Sequence, residues 1–442
     1  MTIHPSPFIV FLFLLSGIGI IVLLTAKFRI HAFFALLIAC FVVGLGIGLP
    51  FASLLDLMKD GFGNIMKSLG LIIVLGTALG VVIEYTGSTA VMASFILKRT
   101  GVRQAPLAMS LTGFVVGLPI FCDSGFIVLS GLNHSLSQRK GLSVSVMSVA
   151  MATGLYSVHC LIPPHPGALA AAGTLGVDLG RLILLGIIVA LPAMLIGYFW
   201  ARYAGRKEDK PIVENKSEEH SPENRSVVLA FLPVAVPILL IALRSFFTIE
   251  SNVSGWMQPF RVAGDPVIAL SIGILLGLLG KRSWKTKEIS TIFSGAAEKA
   301  GGILVIIGAG GAFGAVLTAA QLGTQLSETL PFHSMGLFFP FLISFVLKTA
   351  QGSSTVAIIT ASAIVQPLLP ALGLTSDNSR LLAVLSMGAG SMMISHANDA
   401  YFWVISRFSD LNIRTMIRTY TVATILMGIV SLMMVYLLSL FI

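Results

Sequence analysis

The sequence predicts an all-α polytopic membrane protein that consists of two halves related as an inverted repeat. Of its 442 residues 56% are hydrophobic and only 11% are charged, whereas about 25% are charged in an average soluble domain. Apolar runs reach the length of about 18 residues that crossing a bilayer requires. Breaks rich in Gly, Pro and polar residues interrupt these runs at matching places in both halves. We expect about ten transmembrane helices, two re-entrant hairpins and two broken helices.

The composition excludes several other classes. The net charge is +9, but Lys and Arg form short clusters between apolar runs, as in cytoplasmic loops and not as on a nucleic-acid-binding surface. Cys40, Cys122 and Cys160 lie in apolar stretches and indicate small core residues, not disulfides or metal ligands. The sequence has no HExxH, GxSxG or Walker motif, so protease, hydrolase and ATPase chemistry is not indicated. We expect no enzymatic activity, no cofactor and no metal.

The first apolar span covers Phe8 to Thr25. Residues 1–7 contain no Lys or Arg, and the run is longer than the apolar part of a typical signal peptide. Lys27 and Arg29 follow directly, so the positive-inside rule places the N-terminus outside and the next loop in the cytoplasm. With about ten spans, both termini are then expected on the outer side of the membrane.

The second span is Ala32 to Leu49, and a weaker amphipathic stretch, Ala52 to Lys67, precedes a third span, Leu69 to Ile83. The run from Ala105 to Val116 would form about 18 Å of helix, too short for a hydrocarbon core of about 30 Å. It breaks at Gly117 to Gly125 and resumes as Phe126 to Leu132. Both flanks are basic, which predicts a hairpin that enters and leaves on the cytoplasmic side.

A broken span follows at Leu142 to Ala172, interrupted at His159 to Gly167. Its prolines cannot all lie inside one regular helix. The helix-breaking residues of the first half are Pro119, Pro163, Pro164 and Pro166. A further span, Leu182 to Ala201, returns to the cytoplasm.

The chain therefore divides into a first half at residues 1–204 with a hairpin at about 105–138, a cytoplasmic linker at 205–225, and a second half at 226–442 with a hairpin at about 336–370. Gly70 and Gly76 recur with the same spacing as Gly302 and Gly308. Basic clusters fall on opposite ends of corresponding spans, which predicts that one half is inverted. A single Gly/Pro break would be explained by an ordinary kink, but four matching breaks favour a transporter.

The breaks also contain the rare polar residues. The residues expected to bind substrate are Ser124, His159, His165, Gly167, Lys348, Gly352, Ser353, Ser354, Thr355 and Asn398, and those expected to carry a coupling proton are Asp123 and Asp399. An ionisable side chain at the membrane centre costs about 2.5–3.5 kcal/mol on insertion scales, and such a cost indicates function. Burial favours the neutral form of a carboxyl group, so either aspartate could take up a proton outside and release it inside.

Each of these residues also has a structural interpretation. Asp123 or Asp399 could cap the helix that follows it, and His159 or His396 could be a satisfied core histidine. His165 could bind substrate or hydrogen-bond its own loop. Lys348 has no carboxylate near it in the sequence, so an anionic substrate could be its partner, or its stem could snorkel to the surface.

Several motifs resemble the gluconate permease family (gluconate:proton symporters) of the ion transporter superfamily. They are the run Val158 to Gly167 (VHCLIPPHPG), Lys348 to Ala357 (KTAQGSSTVA), Ser395 to Asp399 followed by Phe402-Trp403, and Asp123 before Gly125-Phe126. The resemblance covers essentially the whole chain. The first tip reads Phe-Cys-Asp-Ser-Gly, where gluconate transporters tend to have Glu followed by an aliphatic residue, which leaves the exact substrate open.

The resemblance implies proton-coupled uptake of gluconate or a related small hydroxylated carboxylate across a bacterial inner membrane. It also implies an elevator-like mechanism and a homodimer, with a small organic anion, the proton and the lipid bilayer as partners. Alternatives are a symporter for another small acid or amino acid such as D-serine or glycerate, sodium coupling through hairpin carbonyls, and, more remotely, an intramembrane enzyme.

Overall fold

The computed structural model describes residues 7–100, 104–140, 142–207, 226–248, 258–281, 283–320 and 334–442. Helices make up 84% of the structure, and no strand occurs within these ranges. The predicted all-helical fold class is therefore confirmed. Most of the predicted linker, residues 208–225, lies outside the described residues.

The helices of the first half are numbered in chain order. They are α1 (Pro7–Val22, continued by a π-helical turn at Leu23–Lys27), α2 (Ala32–Gly46), α3 (Phe51–Tyr85), α4 (Ser88–Thr100), α5 (Ala105–Gly117), α6 (Cys122–Lys140), α7 (Val144–Leu161), α8 (Pro166–Leu175) and α9 (Leu179–Ala204).

The helices of the second half follow the same numbering. They are α10 (Val227–Thr248), α11 (Gln258–Ala263), α12 (Pro266–Leu278), α13 (Thr286–Ala319), α14 (Phe338–Gln351), α15 (Ser354–Val365), α16 (Asp377–Met392), α17 (Ala400–Phe408), α18 (Ile413–Met416) and α19 (Val422–Leu438). A π-helical turn at Ile417–Thr421 joins the last two.

Within the described part of the chain, six segments are long and apolar enough to cross a bilayer. They are Phe51–Tyr85, Val144–Leu175, Leu179–Ala204, Val227–Ser245, Thr286–Ala319 and Ile413–Leu438. The protein is therefore a multi-pass membrane protein. Other apolar helices, including α2 and α12, are shorter, and the count of ten crossings stays a prediction.

Polar side chains fix where several of these apolar helices begin. Ser143, Asp178 and Asp265 each precede a helix and accept a hydrogen bond from a backbone N–H of its first turn. Such caps satisfy donors that have no partner inside the helix. These caps define the N-terminal ends of α7, α9 and α12, which hydropathy alone would not locate.

The longest helices, α3 and α13, cross each other at two glycines. A Cβ atom on Gly61 would lie 2.5 Å from the carbonyl oxygen of Gly311, and one on Gly311 would lie 2.6 Å from that of Gly61. Only glycine permits this approach, which is typical of membrane helix pairs. The prediction that Ala52 to Lys67 is separate from the third span is wrong, because α3 runs unbroken through this crossing.

The interrupted helices form the centre of the molecule. The apolar window within Val144–Leu175 is wholly buried, whereas only 28% of that in Val227–Ser245 is buried. Thus α7 and α8 lie among other helices, while α10 presents most of its surface outward, where lipid would cover it. Polar groups at the break between α7 and α8 are consequently enclosed by protein, as irregular backbone at membrane depth requires.

Candidate functional site

The first interruption lies between α5 and α6. Helix α5 ends at Gly117, residues 118–121 are not α-helical, and α6 begins at Cys122. Pro119 lacks a backbone N–H, and its carbonyl oxygen would be only 2.6 Å from a Cβ on Gly80 of α3. The apolar run resumes at Phe126, but the helix begins earlier, and Asp123 lies in the first turn of α6.

The second interruption separates α7 from α8. Pro163 and Pro164 lie in it, joined by a cis peptide bond, and Pro166 is the first residue of α8. The ring Nε2 of His165 is 2.7 Å from the carbonyl oxygen of Gly117. His165 therefore hydrogen-bonds the end of α5, not its own loop, and joins the first two interruptions.

The third interruption, between α14 and α15, is the tightest. Gly352 has a φ of +84°, a left-handed conformation that favours glycine, and a Cβ atom there would collide with the carbonyl of Asn398. Ser353 caps α15 by accepting the N–H of Val356 at 3.3 Å. Asn398, from the fourth interruption, donates its side-chain amide to the carbonyl of Thr349 at 2.7 Å.

The fourth interruption runs from the end of α16 to Asp399, which caps α17. Asp399 Oδ1 accepts the backbone N–H of Tyr401 at 3.0 Å. Its other oxygen, Oδ2, accepts a hydrogen bond from the hydroxyl of Ser395. The expected capping role of Asp399 is therefore present, but it uses only one of the two carboxylate oxygens.

Lys348 and Asp399 form an ion pair between the third and fourth interruptions. The ammonium Nζ is 2.6 Å from Asp399 Oδ2, and the two side chains are 0% and 8% exposed. Nζ also donates to the carbonyl of Gly352. The alternative that Lys348 snorkels to the surface is wrong, because no part of the side chain is exposed.

Two histidines bring the second and third interruptions together. His159 Nε2 is 3.3 Å from the hydroxyl of Thr355, and the rings of His159 and His165 are 4.8 Å apart. Phe121 lies within 6.4 Å of both rings. A Cβ on Gly167 would lie 3.3 Å from the Cα of Thr355, so α8 and α15 begin side by side.

A cluster of tyrosines, missed from the sequence, lies beside this region. The rings of Tyr156, Tyr401 and Tyr420 are 5.8–6.2 Å apart. Tyr156 stacks on His159 at 6.3 Å, and Lys348 Nζ is 5.8 Å from the Tyr156 ring centroid. The available signal was rarity, because the chain has only seven tyrosines and these lie in or next to the broken segments.

Several buried polar atoms of the site have no hydrogen-bond partner among the described residues. They are Asp123 Oδ1, His159 Nδ1, Thr349 Oγ1 and both side-chain polar atoms of Gln351. The capping alternative for Asp123 thus gains no hydrogen bond at Oδ1, although the charges of Asp399 and Lys348 act on this carboxyl. Unpaired buried polar groups are costly, and those at the interruptions make this region a candidate site for a proton or a ligand.

The remaining predicted residues lie in the same region. Ser124 is half-buried beside Asp123, and Ser354 is buried at the start of α15. Helices α6, α8, α15 and α17 all begin at these interruptions, and helix N-termini carry partial positive charge and free N–H groups that suit anions. Within the described part of the chain no three His, Cys, Asp or Glu side chains lie together as metal ligands would.

Comparisons with known proteins match this chain to one sequence family and to one membrane-protein fold. A family model, GntP family permease, matches residues 9–441. A gluconate permease of Pseudomonas aeruginosa is 33% identical over 97% of this chain and 96% of its own length. A D-serine transporter of Escherichia coli is 31% identical over 96% and 97%. The structure of Neisseria gonorrhoeae MtrF, from a study of antimetabolite efflux pumps, matches with a TM-score of 0.65 over 98% of this chain and 95% of its own at 16% identity, which shows the fold alone.

Proposed function

Because the chain belongs to the GntP permease family, we propose that it couples the entry of protons to the uptake of gluconate or a related small hydroxylated carboxylate. It is a secondary transporter of small acids. Its relatives include a gluconate permease and a D-serine transporter, and both of those names denote a small carboxylic acid. Gluconate is the substrate that we assign first.

The observation that carries the proposal is the meeting of four helix N-termini around a buried ion pair. An entering carboxylate would meet the N–H groups in the first turns of α8 and α15, beginning at Gly167, since Pro166 has no N–H, and at Ser354. The hydroxyls of Ser353 and Thr355 and the histidine ring of His159 lie beside them. Such donors suit both the carboxylate and the hydroxyls of a sugar acid.

Asp123 and Asp399 are the proton carriers in this proposal. A membrane voltage of 100 mV is worth about 2.3 kcal/mol per charge moved, and it opposes the entry of an anion. A monovalent acid therefore needs more than one proton if voltage is to assist its uptake. Two carboxyl groups near one substrate pocket supply that number.

The proposed architecture is an inverted repeat. Helices α3, α5–α6, α7–α8 and α9 would correspond to α13, α14–α15, α16–α17 and α18–α19, with ten crossings and two re-entrant hairpins. The proposed setting is a bacterial inner membrane, with both termini periplasmic. The hairpins and broken helices would move together as a transport domain against a scaffold that includes α3 and α13, in a homodimer.

Uptake of labelled gluconate into proteoliposomes tests the function. We expect a pH gradient, acidic outside, to drive accumulation that a protonophore abolishes, and we expect unlabelled sugar acids to compete better than D-amino acids. Stronger competition by D-serine or glycerate would change the substrate. Accumulation driven by sodium and not by protons would overturn the coupling ion.

A separate experiment tests the alternative that the protein is an intramembrane enzyme. Purified protein in detergent experiences no gradient, so a transporter should leave gluconate chemically unchanged there. Conversion of gluconate to another compound by the purified protein would contradict the proposed function.

A further inference from the structure

The buried pair of Lys348 and Asp399 gives the site a specific way to link a proton to an anion. Building on the proposed function, we infer that Lys348 is a counterion used in turn by Asp399 and by the substrate carboxylate. In this scheme Asp399 holds the ammonium while the site is empty. When Asp399 takes up the coupling proton from the outside water, Lys348 is released to bind the substrate.

The position of Lys348 allows this exchange. The residue lies one helical turn before Gly352, and its ammonium contacts both the Gly352 carbonyl and Asp399. Ser353 caps α15 directly after this glycine. A carboxylate bound at the start of α15 would therefore compete with Asp399 for the same ammonium.

Protonation of Asp399 need not unfold its surroundings. Oδ1 caps α17 through the N–H of Tyr401 at 3.0 Å, and a neutral carboxyl group retains this acceptor. The exchange affects Oδ2, which the Lys348 ammonium contacts at 2.6 Å. The hydroxyl of Ser395 also contacts Oδ2 and can accept a hydrogen bond from a protonated oxygen.

Charge neutrality then links the two ligands. Summed over Lys348 and Asp399, the empty site is neutral, and so is the site that holds one proton and one monovalent anion. The anion alone leaves a buried net charge of −1, and the proton alone leaves +1. Because the two side chains are 0% and 8% exposed and an uncompensated buried charge is costly, both half-loaded states are disfavoured, which suppresses uncoupled leak.

Other titratable groups face this pair from the surrounding helices. They are Cys122 and Asp123 on α6, Tyr156, His159 and Cys160 on α7, Tyr401 on α17, and Tyr420 before α19. Phenols and thiols are neutral near pH 7 in their ordinary state. Asp123 and His159 are the groups whose titration would compete with that of Asp399, so the experiment must separate them.

The test is calorimetric titration of the purified full-length protein with gluconate between pH 6 and 8, in buffers of different ionisation enthalpy. We expect the wild type to take up protons on binding, one of them at Asp399, and this one proton to cost up to about tenfold in affinity per pH unit. Asp399→Asn, which keeps the cap and mimics the protonated state, should take up about one proton fewer than the wild type on binding, and its affinity should depend correspondingly less on pH. At pH 8 it should bind more tightly than the wild type.

Lys348→Met should weaken gluconate binding on the order of 30-fold or more at every pH, because the substrate charge loses its buried partner. The double variant Lys348→Met/Asp399→Asn removes both charges together, so it tests the idea even if a single variant fails to fold. We expect the double variant to bind gluconate as weakly as Lys348→Met and to take up about one proton fewer than the wild type.

Asp265→Asn is the matched control. Asp265 also caps a helix, accepting the N–H of Val267 at 3.0 Å, and also pairs with a basic residue, Arg244, at 2.6 Å, but it lies outside the site. Proton uptake and the affinity for gluconate should equal those of the wild type in this variant.

The outcomes separate this inference from the proposed function. Normal proton uptake by Asp399→Asn would overturn the inference and leave proton coupling to Asp123 or His159. Wild-type affinity in the double variant would overturn it as well. Wild-type protein that binds gluconate without proton uptake, or that binds neither gluconate, glycerate nor D-serine, would overturn the proposed function itself.

Discussion

The interruption between α5 and α6, here the first tip, and the interruption between α14 and α15, here the second tip, accommodate a buried charge in different ways. At the second tip Lys348 is fully enclosed but paired with Asp399 at 2.6 Å, and the turn takes up only Gly352 and Ser353. At the first tip the turn spans residues 118–121, and Asp123 Oδ1 has no hydrogen-bond partner among the described residues. The second tip therefore pairs its buried charge, whereas the first leaves a carboxyl oxygen without a hydrogen bond from any residue that the structure describes.

The largest expected effect on stability comes from breaking the pair at the second tip. Lys348→Met leaves Asp399 buried without its counterion, which should lower the free energy of unfolding by about 3–5 kcal/mol. Thermal unfolding in detergent measures this loss. Since the double variant Lys348→Met/Asp399→Asn leaves no lone charge, it should recover most of the stability. A double variant as unstable as the single one would show that the ion pair is not what stabilises this tip.

A smaller loss is expected from the turn itself. Gly352→Ala places a Cβ at a φ of +84° and against the carbonyl of Asn398, and backbone strain of this kind costs about 1–3 kcal/mol. Gly131→Ala, on the open face of α6 where a Cβ meets nothing within 4 Å, is the control and should not destabilise the protein. Equal melting temperatures for the two variants would contradict the tight packing of the second tip.

The positions of the helix interruptions could be predicted from the sequence. The breaks at Gly117, at Pro163-Pro164 and at Gly352 lie where Gly, Pro and polar residues interrupt apolar runs, because these residues limit regular helix. The partner of Lys348 was not found, since Asp399 is distant in the sequence and only the fold brings the two together. The rarity of ionisable residues in apolar spans was the signal that could have suggested their pairing.

The continuity of α3 and the tyrosine cluster were also not predicted from the sequence. Gly61 lies in the amphipathic stretch before the third span, yet α3 is continuous there and passes close to Gly311 of α13. Tyr156, Tyr401 and Tyr420 look like ordinary apolar-run residues. Their contacts with His159 and Lys348 exist only in the folded protein.

The smallest effect on stability is expected at the first tip. Asp123→Asn removes a charge that has no partner at Oδ1, so the free energy of unfolding should change by only about 0.5 kcal/mol. Function should change far more, because the variant cannot carry a proton. We expect accumulation driven by a pH gradient to be abolished while gluconate binding and exchange remain detectable. Unchanged accumulation would show that Asp123 does not carry a coupling proton.

The central claim, that entry of a small acid through this site carries protons with it, is tested most directly by proton movement without any imposed gradient. Gluconate is added to proteoliposomes in a weakly buffered medium, and the external pH is recorded. The account predicts an alkalinisation of the medium that accompanies gluconate entry, is smaller per gluconate with Asp399→Asn, and is absent from protein-free liposomes. Gluconate entry through the wild-type protein with no change in external pH would contradict it.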